Sequence, residues 1–263
     1  FYIGKIWEER GKFSTAIKFY EQYMNSPTKN KLNIVESSYR IALLNEKLGK
    51  KSKTDEWSRK TLRIYRNFKK AGSVVGSNFA AELDFKLVYP TFLELVRFKI
   101  PKDPKRQGKI VQIKLNLVNR LKEELKRIVK YDDAFQIVAA LTLQGQALQH
   151  MSAALYNAPL PSGLDEEQQK VYKSEVDKLA FPLKTQAVES YKAAIERGYS
   201  LGGYNEWMKK AILELDKLEP GFIADNGEKV FYITRMDLMG EELDANSLNK
   251  VFEMLSKNPE DVK

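Results

Sequence analysis

The chain has no cysteine, so disulfide frameworks, thiolate metal sites and cysteine nucleophiles are excluded for all 263 residues. It has one histidine, His150, which rules out multi-histidine metal sites and confines any serine–histidine relay to a single position. His150 lies among alanines and glutamines with no acidic or nucleophilic neighbour in sequence, and reads as a packed or surface histidine. No apolar run reaches the roughly 18 residues that a bilayer-spanning helix needs. A phosphate-binding loop is missing too. Gly49-Lys50-Lys51-Ser52 has the ending of one but lacks the upstream glycine, and it follows a helical pattern instead of a strand. The acidic pairs Asp132-Asp133 and Glu166-Glu167 fall at helix starts, where carboxylates complement the helix dipole. No catalytic residue, metal, cofactor or small-molecule substrate is expected, and the chain does not read as an enzyme.

What is present is helix. A hydrophobic fraction of 43% supports a folded core, and 30% charged residues suit the high surface-to-volume ratio of an extended solenoid. The net charge of +9 conceals a polarity: residues 1–130 hold 30 Lys and Arg against 13 Asp and Glu, and residues 131–263 hold 14 against 22, about +17 and −8. The basic excess sits in 50–70 and 97–130. The chain opens at Phe1, without methionine, in what reads as the middle of a helix, so a fragment or a processed form is expected.

The opening residues Gly4, Trp7, Gly11, Phe13, Ala16, Tyr20, Tyr23 and Pro27 outline two helices joined at Gly11, with Ala16 and Tyr20 on one face. This spacing resembles a tetratricopeptide repeat, in which small residues let paired helices approach and aromatics fill the gap. A second pair is expected at 33–48, ended by Gly49, and at about 54–70, with a turn Lys50–Lys53 longer than the repeat allows. Over 77–99 an apolar pattern is interrupted by Pro90, which predicts a kink or a break, and Pro101 and Pro104 predict a turn. Helices follow over 108–130, 133–156 and about 165–197, the last containing Pro182 and broken by Gly198, Gly202 and Gly203. Asn205 is the expected cap of a helix at 206–218. The β-like run Lys229–Thr234 and an acidic amphipathic stretch make the end of the chain different in kind.

One segment is more specific. Pro159 and Pro161, Leu164-Asp165-Glu166-Glu167, Tyr172, Ala180-Phe181-Pro182-Leu183, Ala187 with Tyr191, and Tyr204-Asn205-Glu206-Trp207 resemble the C-terminal portion of large tetratricopeptide proteins of deltaproteobacterial-type predatory and gliding bacteria. The resemblance implies a scaffold of gliding-motility or polarity machinery. It also implies a location in the cell envelope or periplasm, with the cytoplasm as alternative, and partners that include a small Ras-like GTPase or an envelope motility component.

The expected fold is therefore all-α: an irregular tetratricopeptide-like α-solenoid of antiparallel helix pairs with a non-repeat tail. It divides into helix pairs at 1–70, a basic long-helix region at 71–131, further repeat-like helices at 132–219, and an acidic tail or cap at 220–263. The expected function is to hold protein partners. By analogy with the repeat, Lys5, Glu8, Glu9, Glu36, Tyr39, Leu43, Glu46 and Lys47 face the binding groove. Arg97, Lys99, Lys102, Lys105, Arg106, Lys109 and Lys114 form a basic patch. The patch supports the alternative reading of a binder of nucleic acid or anionic membrane. Nucleic acid is the weaker partner, because exposed stacking aromatics are not evident.

Overall fold

The computed structural model describes residues 1–27 and 29–225. It forms two units, residues 1–211 and 212–263. Every regular element among the described residues is helical: α1 Tyr2–Glu9, α2 Phe13–Asn25, α3 Lys31–Lys47, α4 Lys51–Lys70 and α5 Ser77–Arg97, followed by α6 Pro104–Val129, α7 Ala134–Tyr156, α8 Glu166–Leu201, α9 Glu206–Leu218 and α10 Phe222–Asp225. Among these residues no helix is long and apolar enough to cross a membrane. The expected strand Lys229–Thr234 and the acidic stretch lie outside the described residues.

Helix starts follow local chemistry. Asn30, Asp103, Asp133 and Asp165 each accept a hydrogen bond from a backbone N–H of the helix that follows, which satisfies donors left over at an N-terminus. Asp165 and Gln168 complete a reciprocal capping box. Asn205 Oδ1 accepts from the N–H groups of Trp207 and Met208, as expected of the cap at 206. The buried stripe Leu117, Leu121, Leu125 and Ile128 recurs at helical spacing on α6 and faces the interior.

Several boundaries differ from the sequence reading. The link between α3 and α4 is Leu48–Lys50, as short as the three-residue link between α1 and α2, so the expected long turn is absent. Gly49, at φ 69°, turns the chain sharply enough for α4 to begin at Lys51. Pro104 opens α6 instead of marking only a turn, because a proline at the first helical position gives up no intrahelical donor. Pro90 and Pro182 do not break α5 and α8. Both prolines are exposed, as are Lys86 and Lys178 four residues earlier, so the carbonyls that lose a partner stand on a water-facing side. Gly198 does not end α8 either. The helix runs to Leu201 and closes at Gly202 (φ 65°), while Gly198 makes room for the Met208 side chain, which an added Cβ would strike.

In the first unit each helix packs against the next in sequence from α1 through to α8. Beyond these neighbours, contact runs between odd-numbered helices, α3 with α5 and α5 with α7, and ion pairs join α1 to α3. Among the described residues no helix-to-helix packing joins α2 to α4 or α4 to α6. Side chains of α4 instead reach the residues just after α6, with the Tyr65 ring 5.4 Å from that of Tyr131 and Lys69 Nζ donating to Lys130 O at 3.3 Å. Helices α3, α5 and α7 thus make a layer that α1 joins through its ion pairs, and the even helices α6 and α8 meet where Tyr172 Oη donates to Gln107 Oε1 at 3.2 Å.

One packing device occurs twice. Gly4 on α1 and Gly145 on α7 lie against the fully buried rings of Tyr20 and Tyr191 on the following helix. Tyr20 Oη donates to Glu8 at 2.8 Å, and Tyr191 Oη donates to Gln149. In both seats the acceptor is four residues after the glycine, and an alanine, Ala16 or Ala187, lies four residues before the tyrosine. Glycine and tyrosine are 16 residues apart in the first hairpin and 46 in the second, so α7 and α8 form a hairpin lengthened by 30 residues at its closed end. Of residues 166–185 in that extension, only Ala180 is buried.

The described part of the second unit holds the end of α9 and the short α10. Lys217 Nζ pairs with Glu214 at 2.7 Å, and the Ile223 N–H donates to Asp216 Oδ1 at 2.9 Å.

Candidate functional site

The odd-helix layer carries most of the residues expected to face a groove. Lys5 Nζ of α1 meets Glu36 of α3 at 2.8 Å. Arg40, one turn further along α3, bridges Glu36 at 2.8 Å and Glu8 of α1 at 3.0 Å, and Glu8 also accepts from Tyr20. Tyr39 Oη donates to Glu82 of α5 at 2.6 Å while its ring lies 4.8 Å from that of Phe79. Lys86 Nζ then links Glu46 of α3 at 2.8 Å. Lys5, Glu8, Glu36, Tyr39 and Glu46 are thus parts of two polar networks, one joining α1, α2 and α3 and the other joining α3 to α5. Burial and the adjacent carboxylates push the Tyr20 and Tyr39 hydroxyls well above the usual phenol range, so both stay protonated donors. Glu9 and Lys47 are exposed, with Lys47 Nζ over the Phe13 ring at 5.2 Å, and Leu43 packs against the core formed by α1–α5.

The sequence reading missed Arg40, Glu82 and Lys86, whose partners lie 32 to 43 residues away. It also missed an aromatic group. Phe85 and Tyr89 of α5 lie 5.1 and 6.2 Å from Trp207, and Tyr89 is 5.9 Å from Phe92. Lys210 Nζ stands 4.4 Å from the Trp207 ring centre. Tyr89, Phe92 and Trp207 are half-buried, so this cluster keeps part of its surface open.

The basic patch divides. Arg97, Lys99, Lys102, Lys105, Arg106 and Lys109 are exposed, and none has a carboxylate partner among the described residues. Lys114 does not share that surface and is a correction to the patch. Its side chain is fully buried, and Nζ donates to the carbonyls of Leu95 at 2.7 Å and Phe98 at 2.9 Å. It therefore caps the C-terminus of α5 from the neighbouring helix, where the dipole favours a cation. A third contact, 3.0 Å, is to His150 Nε2 of α7. Burial lowers Lys114 to about 8, and burial together with the Lys114 charge lowers His150. With Lys114 charged, Nζ donates to His150 Nε2 and the imidazole proton is on Nδ1. All three ammonium hydrogens are then committed, and the contact ties α5, α6 and α7 together at one point.

Asp84 of α5 accepts two bonds from Arg127 of α6, at 2.8 and 2.7 Å, and one from Tyr131 at 3.0 Å. Asp133 and Asp165 act as helix caps. Among the described residues no group of three His, Asp or Glu side chains stands close enough to hold a metal ion. No family model matches the chain, and no curated protein or solved structure matches it.

Proposed function

We propose that this chain is a protein-binding scaffold built from tetratricopeptide-like helix pairs, with the layer of odd-numbered helices as its contact face. The observation that carries this reading is the continuity of that layer. Helices α3, α5 and α7 pack on one another and α1 joins α3 through ion pairs, whereas among the described residues α2, α4 and α6 share no helix-to-helix packing, as expected of a stack curved towards its odd helices. The repeated glycine–tyrosine seat supports the repeat reading, since the same side chains join the helices of two separate pairs. Such a face offers charged side chains on α1 and α3 and open aromatics on α5 and α9, a mixture suited to a peptide or a folded protein. The resemblance to gliding-motility repeat proteins makes an envelope complex with a small Ras-like GTPase the first partner set to test.

The test is affinity capture with this chain as bait, comparing charge reversals on two faces. Reversing exposed Glu9, Glu46 and Lys47 is expected to lose the captured proteins. Reversing exposed Arg59 and Arg63 on α4 is expected to retain them. An unchanged partner set after the first reversal, or equal loss after the second, refutes the odd-helix face.

A further inference from the structure

We propose that the turn between α5 and α6 docks on an anionic membrane surface. Between Leu93 and Lys109 the chain carries six cations and two acids, Glu94 and Asp103. Asp103 is occupied as the cap of α6, its Oδ1 accepting the Arg106 N–H at 2.9 Å. A cluster of four to eight Lys and Arg on one surface is the footprint that anionic headgroups attract.

Two further observations point to a bilayer in preference to another polyanion. The first is apolar. Leu93 and Val96, on the same side of α5 as Arg97, are 51% and 40% exposed. Leu160 of the α7–α8 loop, 41% exposed, is held at the same turn because Gln107 Nε2 donates both to Pro101 O and to Pro159 O. Aliphatic side chains beside cations enter the headgroup–acyl boundary, whereas they gain nothing from a nucleic-acid backbone. The second is the position of the charge. Lys105 and Arg106 occupy the first turn of α6, where the positive end of the helix dipole opposes them. A bound phosphate layer removes that conflict. Lys114 fixes the geometry from beneath by holding the end of α5 ten residues into α6. The buried Gln107 of the first turn of α6 also accepts from Tyr172 Oη of α8 at 3.2 Å, so the cations around it are carried on a fixed turn. The acids Asp165, Glu166 and Glu167 open α8 nearby and set a limit on the footprint on that side.

Flotation of the full chain with vesicles of phosphatidylcholine, alone or mixed with phosphatidylserine, tests this directly. Binding is expected only with phosphatidylserine, and it should weaken as salt rises. Replacing Lys102, Lys105 and Arg106 together by Gln is expected to weaken binding about 100-fold, at roughly 5-fold per cation. That variant should melt no lower than the parent, because two of the removed charges oppose a helix dipole. Leu93→Ser with Val96→Ser should lower vesicle affinity several-fold and leave binding to duplex DNA unchanged. The proposal is overturned by absence of binding to phosphatidylserine vesicles at low salt. It is equally overturned by full binding of the triple variant. Full vesicle binding of the Leu93/Val96 variant, or tighter binding to duplex DNA than to vesicles, would assign the cations to another polyanion and also reject it.

Discussion

Replacing Gly145 by alanine should destabilise the protein, although alanine is the better helix former. An added Cβ would stand 2.6, 2.7 and 2.9 Å from Cε1, Cδ1 and Cζ of Tyr191, a ring with no exposed surface. The ring cannot yield without disturbing its neighbours on α8 and the bond from its hydroxyl to Gln149. Overpacking of this kind costs about 1–3 kcal/mol, and weakening the hydrogen bond adds about 1 kcal/mol. The helix gains about 1 kcal/mol from Gly to Ala. The net expectation is a loss of about 1–3 kcal/mol, seen as a melting temperature lower by roughly 2–4 °C for each kcal/mol. Gly108 is the internal control. It lies in α6, it is exposed, and an added Cβ there meets nothing within 4 Å. Gly108→Ala should therefore stabilise by up to about 1 kcal/mol. In a Tyr191→Leu background the clash is gone, so Gly145→Ala should turn from destabilising to stabilising. Thermal or denaturant unfolding of the parent and the four variants reads all of this. If Gly145→Ala raises stability in the parent as Gly108→Ala does, the packing argument is wrong.

The His150–Lys114 contact predicts a pH dependence. The folded His150 has a lowered pKa, so below about 6.5 the unfolded chain takes up a proton that the folded chain resists. Stability contributed by this group is present above that value and is lost as pH falls through the folded pKa; the urea midpoint should drop on acidification, and the drop should shrink in His150→Gln. Asp84→Ala leaves Arg127 and Tyr131 without their shared acceptor and should cost about 2–3 kcal/mol, with Arg127 keeping partial hydration to limit the loss; a double-mutant cycle with Arg127→Ala should give a favourable coupling, and a coupling of zero would count against the pair. Pro90→Ala should stabilise α5 by about 1 kcal/mol or more, since an exposed proline is removed from a continuous helix; a lower denaturation midpoint would show that α5 depends on the proline.

The helices were legible because their signals are local. Asn205, Gly49 and the Leu117–Leu121–Leu125 stripe announce themselves within a few residues, and the paired spacing of Ala16 with Tyr20 and Ala187 with Tyr191 marks both tyrosine seats. The tolerance of Pro90 and Pro182 was not legible, because it depends on which side of the helix meets water. The interhelical networks were harder still. Arg40, Glu82 and Lys86 look like ordinary surface charges until α1, α3 and α5 are set side by side. Lys114 did carry a readable sign. It sits four residues after Ile110 and three before Leu117, in register with the buried stripe, where a solvated lysine has no place. Its partners were not readable, since two are backbone carbonyls and the third is 36 residues away.

The cap that Lys114 places on α5 bears on how the fold opens. In a stack of helix pairs, each pair can fray with little reference to units beyond its neighbours. Here the last carbonyls of α5 depend on a side chain of α6 that is itself held by α7. The end of α5 therefore cannot unwind while α6 stays in place, and α6 cannot withdraw without giving up a bond to α7. The three segments should exchange their amide hydrogens as one cooperative block, slower than the exposed first half of α8, and the middle of the chain should be the last part to let go.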